Sequence, residues 1–281
     1  MSLRRIRPAV AADYPAFVRL FPELAVDDPM LEQDRFDREV VPTTLVMEAG
    51  EGPDPAHIVG YAHYQILKGL TYVRHIVASP ELRRTGVGRA LLEAIADLAR
   101  ASGSTSWCLN VKPSNVAAIA LYRHMGMTPA FESRAMRLDW AIADAAPRMQ
   151  NARITSRVIE AADDARVEPA MKLMDGQLAL ARALDGRVLI GLFEGDHDVL
   201  GAAVFHPHYP SVYPFRLARP ELAFALLHAV RPHAPTDDHL HVVSEGQLDV
   251  ADALIAAGAT LKMEIVHMKG ALPGPALSAN R

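Results

Sequence analysis

Residues 80–89 read Pro80-Glu81-Leu82-Arg83-Arg84-Thr85-Gly86-Val87-Gly88-Arg89, joining an apolar run, Tyr72 to Ala78, to an amphipathic one, Ala90 to Ala99. Arg83, Gly86 and Gly88 stand in an R-x-x-G-x-G spacing. Glycines at such a turn let backbone approach a ligand without a Cβ, and a helix start beyond them offers unpaired N–H groups. An anion suits that arrangement, and Arg84 and Arg89 add positive charge to it. A glycine pair also serves plain strand-to-helix connections, so the flanking sequence has to decide.

Upstream, Leu3 to Arg7 alternates weakly as a first strand, and Ala11-Ala12-Asp13 opens a helix carrying Phe17, Val18, Leu20 and Phe21, with Asp13 as its cap. Residues 25–39 are acidic (Asp27, Asp28, Glu32, Asp34, Asp37), a solvated face or a surface for an amine. Thr43 to Glu48 and His57 to Leu67 read as a hairpin across the Gly- and Pro-containing turn at 50–55. Tyr72 to Ala78 is apolar enough for a buried central strand. Downstream, Leu91, Leu92, Ile95, Leu98 and Ala99 recur at helical spacing until Gly103. A strand at Trp107 to Val111, a helix at Asn115 to Met125 ended by Gly126, and a strand at Phe131 to Leu138 complete the first half.

The chain has 281 residues, comfortable for two domains of about 140 each. A net charge of −4 gives no electrostatic footprint for nucleic acid. The single cysteine, Cys108, lies in an apolar run and fits a reducing cytoplasm as a buried thiol. No apolar stretch approaches a membrane span of roughly 20 residues, and the N-terminus lacks a signal-peptide layout.

Two nucleotide motifs can be set aside. A dinucleotide fingerprint needs a third small residue where Leu91 stands, and a P-loop needs Lys then Ser or Thr where Arg89 and Ala90 stand. The stretch resembles instead the pyrophosphate motif, Q/R-x-x-G-x-G/A, of the GNAT superfamily of acyl-coenzyme A-dependent N-acyltransferases. Asn115, Ala118, Tyr122 and Gly126 match that family's N-x-x-A-x-x-x-Y-x-x-x-G helix, and Leu109 to Gly126 looks like the bacterial ribosomal-protein N-terminal acetyltransferases. The resemblance covers roughly residues 3 to 140. It implies acetyl-coenzyme A as co-substrate, no metal, and direct attack of a neutral amine on the thioester where two central strands splay. By family position, the N–H of Ile76 stabilises the oxyanion, and Val77 and Ala78 border the pantetheine arm, Ala78 holding its amide. Arg83, Arg84, Thr85, Gly86, Val87, Gly88 and Arg89 take the pyrophosphate, Asn115 bonds the arm, and Tyr122, with a phenol of ordinary pKa, protonates the departing thiolate. Family positions for a carboxylate base hold Tyr72 and Asn110, so His75 is the candidate base, with His63, Glu132 or a water relay behind it.

The second half repeats the first in order. Ala161-Ala162-Asp163 echoes Ala11-Ala12-Asp13, Val199-Leu200-Gly201 echoes Ile58-Val59-Gly60, and Ala218-Arg219-Pro220-Glu221-Leu222 echoes Ala78-Ser79-Pro80-Glu81-Leu82. The segment matching Arg83 to Arg89 is missing, and the offset between copies falls from 140 at Pro220 to 132 at Gly258, so Asn115 aligns with Gln247 and Tyr122 with Leu254. His206, His208, His239 and His241 alternate on strands, but no carboxylate or cysteine recurs at ligand spacing.

The expected architecture is α/β: two tandem GNAT-like domains, each a mixed, mostly antiparallel twisted sheet flanked by helices, with a splayed strand pair in the first. A catalytic domain spans 1–142, a linker 143–152, a degenerate domain 153–272 and a tail 273–281. The expected activity is acetyl transfer to a primary amine of a small molecule, a protein N-terminus or a lysine. The competing reading is a non-catalytic acetyl-coenzyme A sensor or scaffold. On either reading the degenerate copy completes the substrate cleft or an oligomer surface, with a homodimer open.

Overall fold

The computed structural model describes residues 4–26, 29–50, 55–184, 186–195, 198–207, 209–234 and 238–274. Asp27, Asp28, His208, residues 51–54 of the expected turn and 275–281 of the expected tail lie outside them. The chain forms two units.

The first unit takes Met1–Val111, Asn115–Thr128 and Met268–Arg281. It contains β1 (Arg4–Pro8), α1 (Tyr14–Leu20), α2 (Gln33–Arg35), β2 (Thr44–Ala49), β3 (Ile58–Leu67), β4 (Leu70–Ala78), α3 (Val87–Ala101), β5 (Ser106–Val111) and α4 (Val116–His124). The strands are bonded in the order β1-β2-β3-β4-β5. The first three pairs are antiparallel and β4–β5 is parallel.

Helices cover both faces of this sheet, which is why its central strands are apolar runs rather than alternating ones. On one face Phe17, Leu20 and Phe36 pack with Val46, Tyr61 and Val77. On the other, Val87, Leu91, Leu92 and Ile95 of α3 are fully buried. Gly60 permits that approach: a Cβ there would lie 2.6 Å from the Val77 carbonyl oxygen and 2.7 Å from Val87 Cγ1. By contrast α4 buries only Tyr122, and Val116 at its start is 72% exposed.

The second unit takes Lys112–Ser114 and Pro129–His267. Its elements are β6 (Thr128–Asp139), α5 (Trp140–Ala145), β7 (Ile154–Val158), α6 (Asp164–Ala170), α7 (Gln177–Ala183), β8 (Val188–Glu194), β9 (Asp198–His206), β10 (Ser211–Leu217), α8 (Ala223–Val230), β11 (His239–Glu245), α9 (Leu248–Ala256) and β12 (Thr260–Ala271). They are ordered β12-β6-β11-β10-β9-β8-β7, with β10–β11 parallel. Phe205, Phe215, Leu226 and Leu227 form its main core with Met136, Leu138 and Trp140, and Val167, Leu178 and Phe193 a second. Among the described residues no helix is long and apolar enough to cross a membrane.

The division differs from the sequence partition at 142 and 153. The strand expected to close the first half, β6, pairs with β11 from His239↔Asp139 to Glu245↔Ser133, and so counts with the second unit. Part of the expected linker is helical, as α5, which buries Trp140 and Ala143. An apolar strand end such as Met136 and Leu138 needs a covered face, and nothing in its composition says which sheet supplies it. Asp13 does not cap α1. Its carboxylate accepts from the Val10 N–H at 2.8 Å and from both Arg7 terminal nitrogens at 2.7 and 2.8 Å. Asp163 repeats the device with Arg157 and the Glu160 N–H. These charge-assisted bonds hold the Asp163 carboxyl well below the usual range.

The copies align through hydrogen bonds one residue away from the sequence echo. Ser79 N–H donates to Val59 O, and Ala78 pairs with Gly60; Ala218 N–H donates to Leu200 O, and Leu217 pairs with Gly201. Leu217, rather than Ala218, is therefore the counterpart of Ala78. The second unit has two residues, Ala218 and Arg219, between this pair and Pro220, where the first has Ser79 alone before Pro80. Here α3 begins after a four-residue turn past Leu82, while α8 begins at Ala223 directly after Leu222.

Gly60→Ala should lower stability by about 1–3 kcal/mol in chemical denaturation, because backbone and a core valine stand in the Cβ's way. Gly201→Ala, whose Cβ would meet a Leu217 side-chain methyl at 3.0 Å, should cost less. An unchanged midpoint for Gly60→Ala would contradict the close packing of α3 on β3.

Candidate active site

The ladder between β4 and β5 runs from Leu70↔Ser106 to Val73↔Leu109 and stops, while β4 continues to Ala78. The β3–β4 register shifts at the same point, leaving Arg74 as the extra residue between His75↔His63 and Val73↔Tyr64. A bulge increases local twist, which turns the strand end away from its parallel neighbour. The sheet is splayed as expected. The Ser79 to Val59 bond fixes which groups face β3 in the alternating antiparallel pattern: those of Val77 turn to Tyr61, and those of Ile76 and Ala78 turn away. Among the described residues no ladder partner covers Ile76 and Ala78 on the β5 side. Val77 contributes its side chain to the core and not its amide to this edge.

The turn that follows places a left-handed Arg84 (φ 64°) before a left-handed Gly86 (φ 95°), which precedes α3. Ala90 N–H is bonded to Gly86 O, so the N–H groups of Val87, Gly88 and Arg89 are those of a helix's first turn. Among the described residues, chain neighbours aside, no atom lies within 4 Å of the Cβ position of Gly86, and Gly88 packs against Leu121 and Ile76. Thr85 is held by its own hydroxyl on Leu82 O and by Arg4, whose Nη1 donates to Thr85 O at 2.7 Å. Sequence reading missed Arg4, since a charged residue on an edge strand carries no signal of what it reaches. Two of the turn's cations are already paired, Arg83 with Glu23 and Arg89 with Glu93, at exposed positions where such pairs contribute little. Asn115 starts α4, its Oδ1 accepting from Ala118 N–H at 3.1 Å. Tyr122 is buried, which pushes its phenol up to about 12 rather than leaving it at its ordinary value.

His75 projects to the face opposite Ile76. Its ring lies 5.4 Å from that of His63, 5.9 Å from Phe21 and 6.1 Å from Tyr61. Its Nδ1 is buried without a hydrogen-bond partner. Burial in this aromatic layer, with His63 and Arg74 adding like charge, lowers its pKa well below 6.5. The imidazole is therefore neutral and a weaker base than an exposed one. Burial and Arg74 likewise bring His63 down to about 4, against a bond with Thr43 O. Tyr72, one rung before the end of the β4–β5 ladder, accepts a hydrogen bond at Oη from Nδ2 of Asn110, just past that end, at 2.8 Å. Glu132 belongs to the second unit. In that unit His206, Ser211 and His241 are cross-strand neighbours, and His241 stacks on Tyr209.

Residues 8–127 match the acetyltransferase (GNAT) family. The [ribosomal protein bS18]-alanine N-acetyltransferase of Escherichia coli (strain K12) is 36% identical over 73 residues, 26% of this chain and 49% of that protein. The chain thus spans about half the length of the curated relatives it matches. A GCN5-related N-acetyltransferase from Sphaerobacter thermophilus superposes with a TM-score of 0.66 at 17% identity, covering 96% of each chain. A tandem GNAT protein from the clavulanic acid biosynthesis pathway does so at 0.60 and 18%, covering 97% of this chain and 99% of the other. At those identities the likeness concerns the fold, and it extends through both halves.

Both buried histidines regain a pKa near 6.5 on unfolding, so stability is whole above about pH 6.5 and is lost as pH falls below it, for His63 down to about 4. Each contributes up to about 1.4 kcal/mol per pH unit in that window. Denaturation of His63→Gln at several pH values should give a shallower acid slope than wild type. An identical slope would mean that His63 is protonated in the folded protein.

Proposed function

Because residues 8–127 match the acetyltransferase (GNAT) family, we propose that the chain transfers an acetyl group from acetyl-coenzyme A to a primary amine. The observation that carries this reading is the edge of β4, whose Ile76 and Ala78 backbone groups lie without a ladder partner directly before a left-handed glycine turn with open space at Gly86. The thin covering of α4 supports it as well, since this helix buries only Tyr122 and brings Leu121 against Gly88.

Bound acetyl-coenzyme A would supply the activated acyl group as a thioester. The N–H groups of Val87, Gly88 and Arg89 and the flexible Gly86 would hold its pyrophosphate, and Ala78 would take an amide of its arm as a strand neighbour does. The Ile76 N–H would bond the carbonyl oxygen as negative charge builds there. Tyr122 stays protonated at neutral pH and would donate toward the departing sulfur. His75 carries a free imidazole lone pair at the same pH, and through water it would accept the proton that the attacking amine gives up. The bacterial relative is a [ribosomal protein bS18]-alanine N-acetyltransferase, which favours a protein amine, but it matches over 73 residues and 49% of its own length. The acceptor class proposed is accordingly a primary amine of a small molecule, a protein N-terminus or a lysine.

One observation favours a non-catalytic acetyl-coenzyme A sensor: Tyr72 and Asn110, at positions where relatives place a carboxylate, are bonded to each other, and the nearest imidazoles are depressed in basicity. Release of free thiol from acetyl-coenzyme A, measured over a panel of amines, separates the two. The enzyme reading expects turnover, a fall of about a hundredfold or more in kcat for Tyr122→Phe, and loss of cofactor binding for Gly86→Glu, which puts bulk and negative charge in the turn. Tight cofactor binding without turnover on any amine would establish the sensor. Retained affinity in Gly86→Glu would overturn the assignment of the turn.

A further inference from the structure

The second unit meets the same edge problem with its own side chain. Leu217, the counterpart of Ala78, lies beyond the last β10–β11 pair, Phe215↔Ser244. Because Ala218 N–H donates to Leu200 O, the N–H and C=O of Leu217 point away from β9. Both are taken by one group: Gln247 Oε1 accepts from Leu217 N–H at 3.0 Å, and Gln247 Nε2 donates to Leu217 O at 2.6 Å. A primary amide so placed makes the two bonds that a peptide unit of an added strand would make. Asn115, the sequence counterpart of Gln247, behaves differently. It is one methylene shorter and caps its own helix on Ala118 N–H, whereas Gln247 stands at the start of α9 without a side-chain cap bond.

We propose that the second unit keeps a slot for an extended, uncharged secondary amide along the edge of β10, and that the Gln247 side chain occupies it from within. Its likeness to the first unit rests on the role proposed above for Ala78, while the Leu217–Gln247 geometry stands by itself. The floor of the slot is polar and buried. Arg216, at the residue before Leu217, donates to Glu245 O and lies 3.4 Å from Glu245 Oε2, and the Tyr213 hydroxyl bonds Glu245 Oε1 at 3.2 Å. Among the described residues Arg216 Nε is buried without a hydrogen-bond partner. The end of the slot lacks an anion turn, since α8 follows Leu222 with no intervening loop. A ligand with amides and no phosphate therefore suits it, pantetheine being the simplest, and coenzyme A gains nothing from its charged end.

The test uses the full chain carrying Gly86→Glu, which silences the first unit's turn, with the Leu217 amide followed by NMR and pantetheine as the probe. With Gln247 present, Leu217 N–H should exchange slowly and pantetheine should leave its resonance unmoved. In Gln247→Ala, exchange should quicken by about tenfold or more, the loss of one to two hydrogen bonds, and pantetheine should shift the resonance saturably and restore protection. Gln247→Glu, which keeps an acceptor for Leu217 N–H and loses the donor to Leu217 O, should remain protected and unresponsive, and it serves where the alanine variant fails to fold. A pantetheine response with Gln247 present, no response in Gln247→Ala, or unchanged protection in that variant would each overturn the proposal. The first unit's cofactor reading is checked separately, by acetyl-coenzyme A binding in the chain with Gly86 intact. Its failure would leave the Leu217 result standing.

Discussion

Backbone N–H and C=O groups on a covered strand edge have to be bonded, and one left without a partner costs roughly 1–3 kcal/mol. Each unit faces this demand where a central strand outlasts its parallel neighbour: β4 beyond Val73, and β10 beyond Phe215. The first unit leaves Ile76 and Ala78 without a ladder partner among the described residues, beside a turn with open space at Gly86. The second answers with Gln247 and has no such turn. Much else follows from that choice. Gly60 and Gly201 bring a helix down onto the neighbouring strand, α4 stays thinly covered while α9 buries Val250, Ala251 and Leu254, and the phenol of Tyr122 is replaced by Leu254.

Electrostatics divide the same way. The ion pairs that hold the frame recur in both units, Arg7 with Asp13 and Arg157 with Asp163, each closing the first turn after the opening strand. The charges around the candidate site do not recur. His63, His75 and Arg74 cluster on and beside β4, and both imidazoles are kept neutral by burial and by the neighbouring cation. A neutral amine is the nucleophile the proposed chemistry needs, and a site that disfavours extra positive charge is compatible with it. In the second unit the comparable depth holds the Arg216–Glu245 pair, a closed polar floor.

Much of this was legible in the sequence because the decisive features are local. The R-x-x-G-x-G turn, the apolar strand before it and the amphipathic helix after it are each set by neighbours within a few residues, and the deletion after Leu222 shows as a change of offset. What could not be read depends on pairing across long separations. The destination of β6 is fixed by β11, about a hundred residues later. The one-residue slip that makes Leu217 the counterpart of Ala78 shows only in the pairing of β10 with β9. His75 reads as an ordinary imidazole until α1 and its aromatic neighbours bury it, and Asp13 reads as a cap until Arg7 claims it.

The central claim is that the edge of β4 is open for a ligand and the edge of β10 is not. Amide hydrogen exchange at Ile76, Ala78 and Leu217, with and without acetyl-coenzyme A, tests it directly. Ile76 and Ala78 should exchange readily in the free protein and become protected when acetyl-coenzyme A is added, while Leu217 is protected under both conditions. Protection of Ile76 and Ala78 that does not respond to acetyl-coenzyme A would contradict the account.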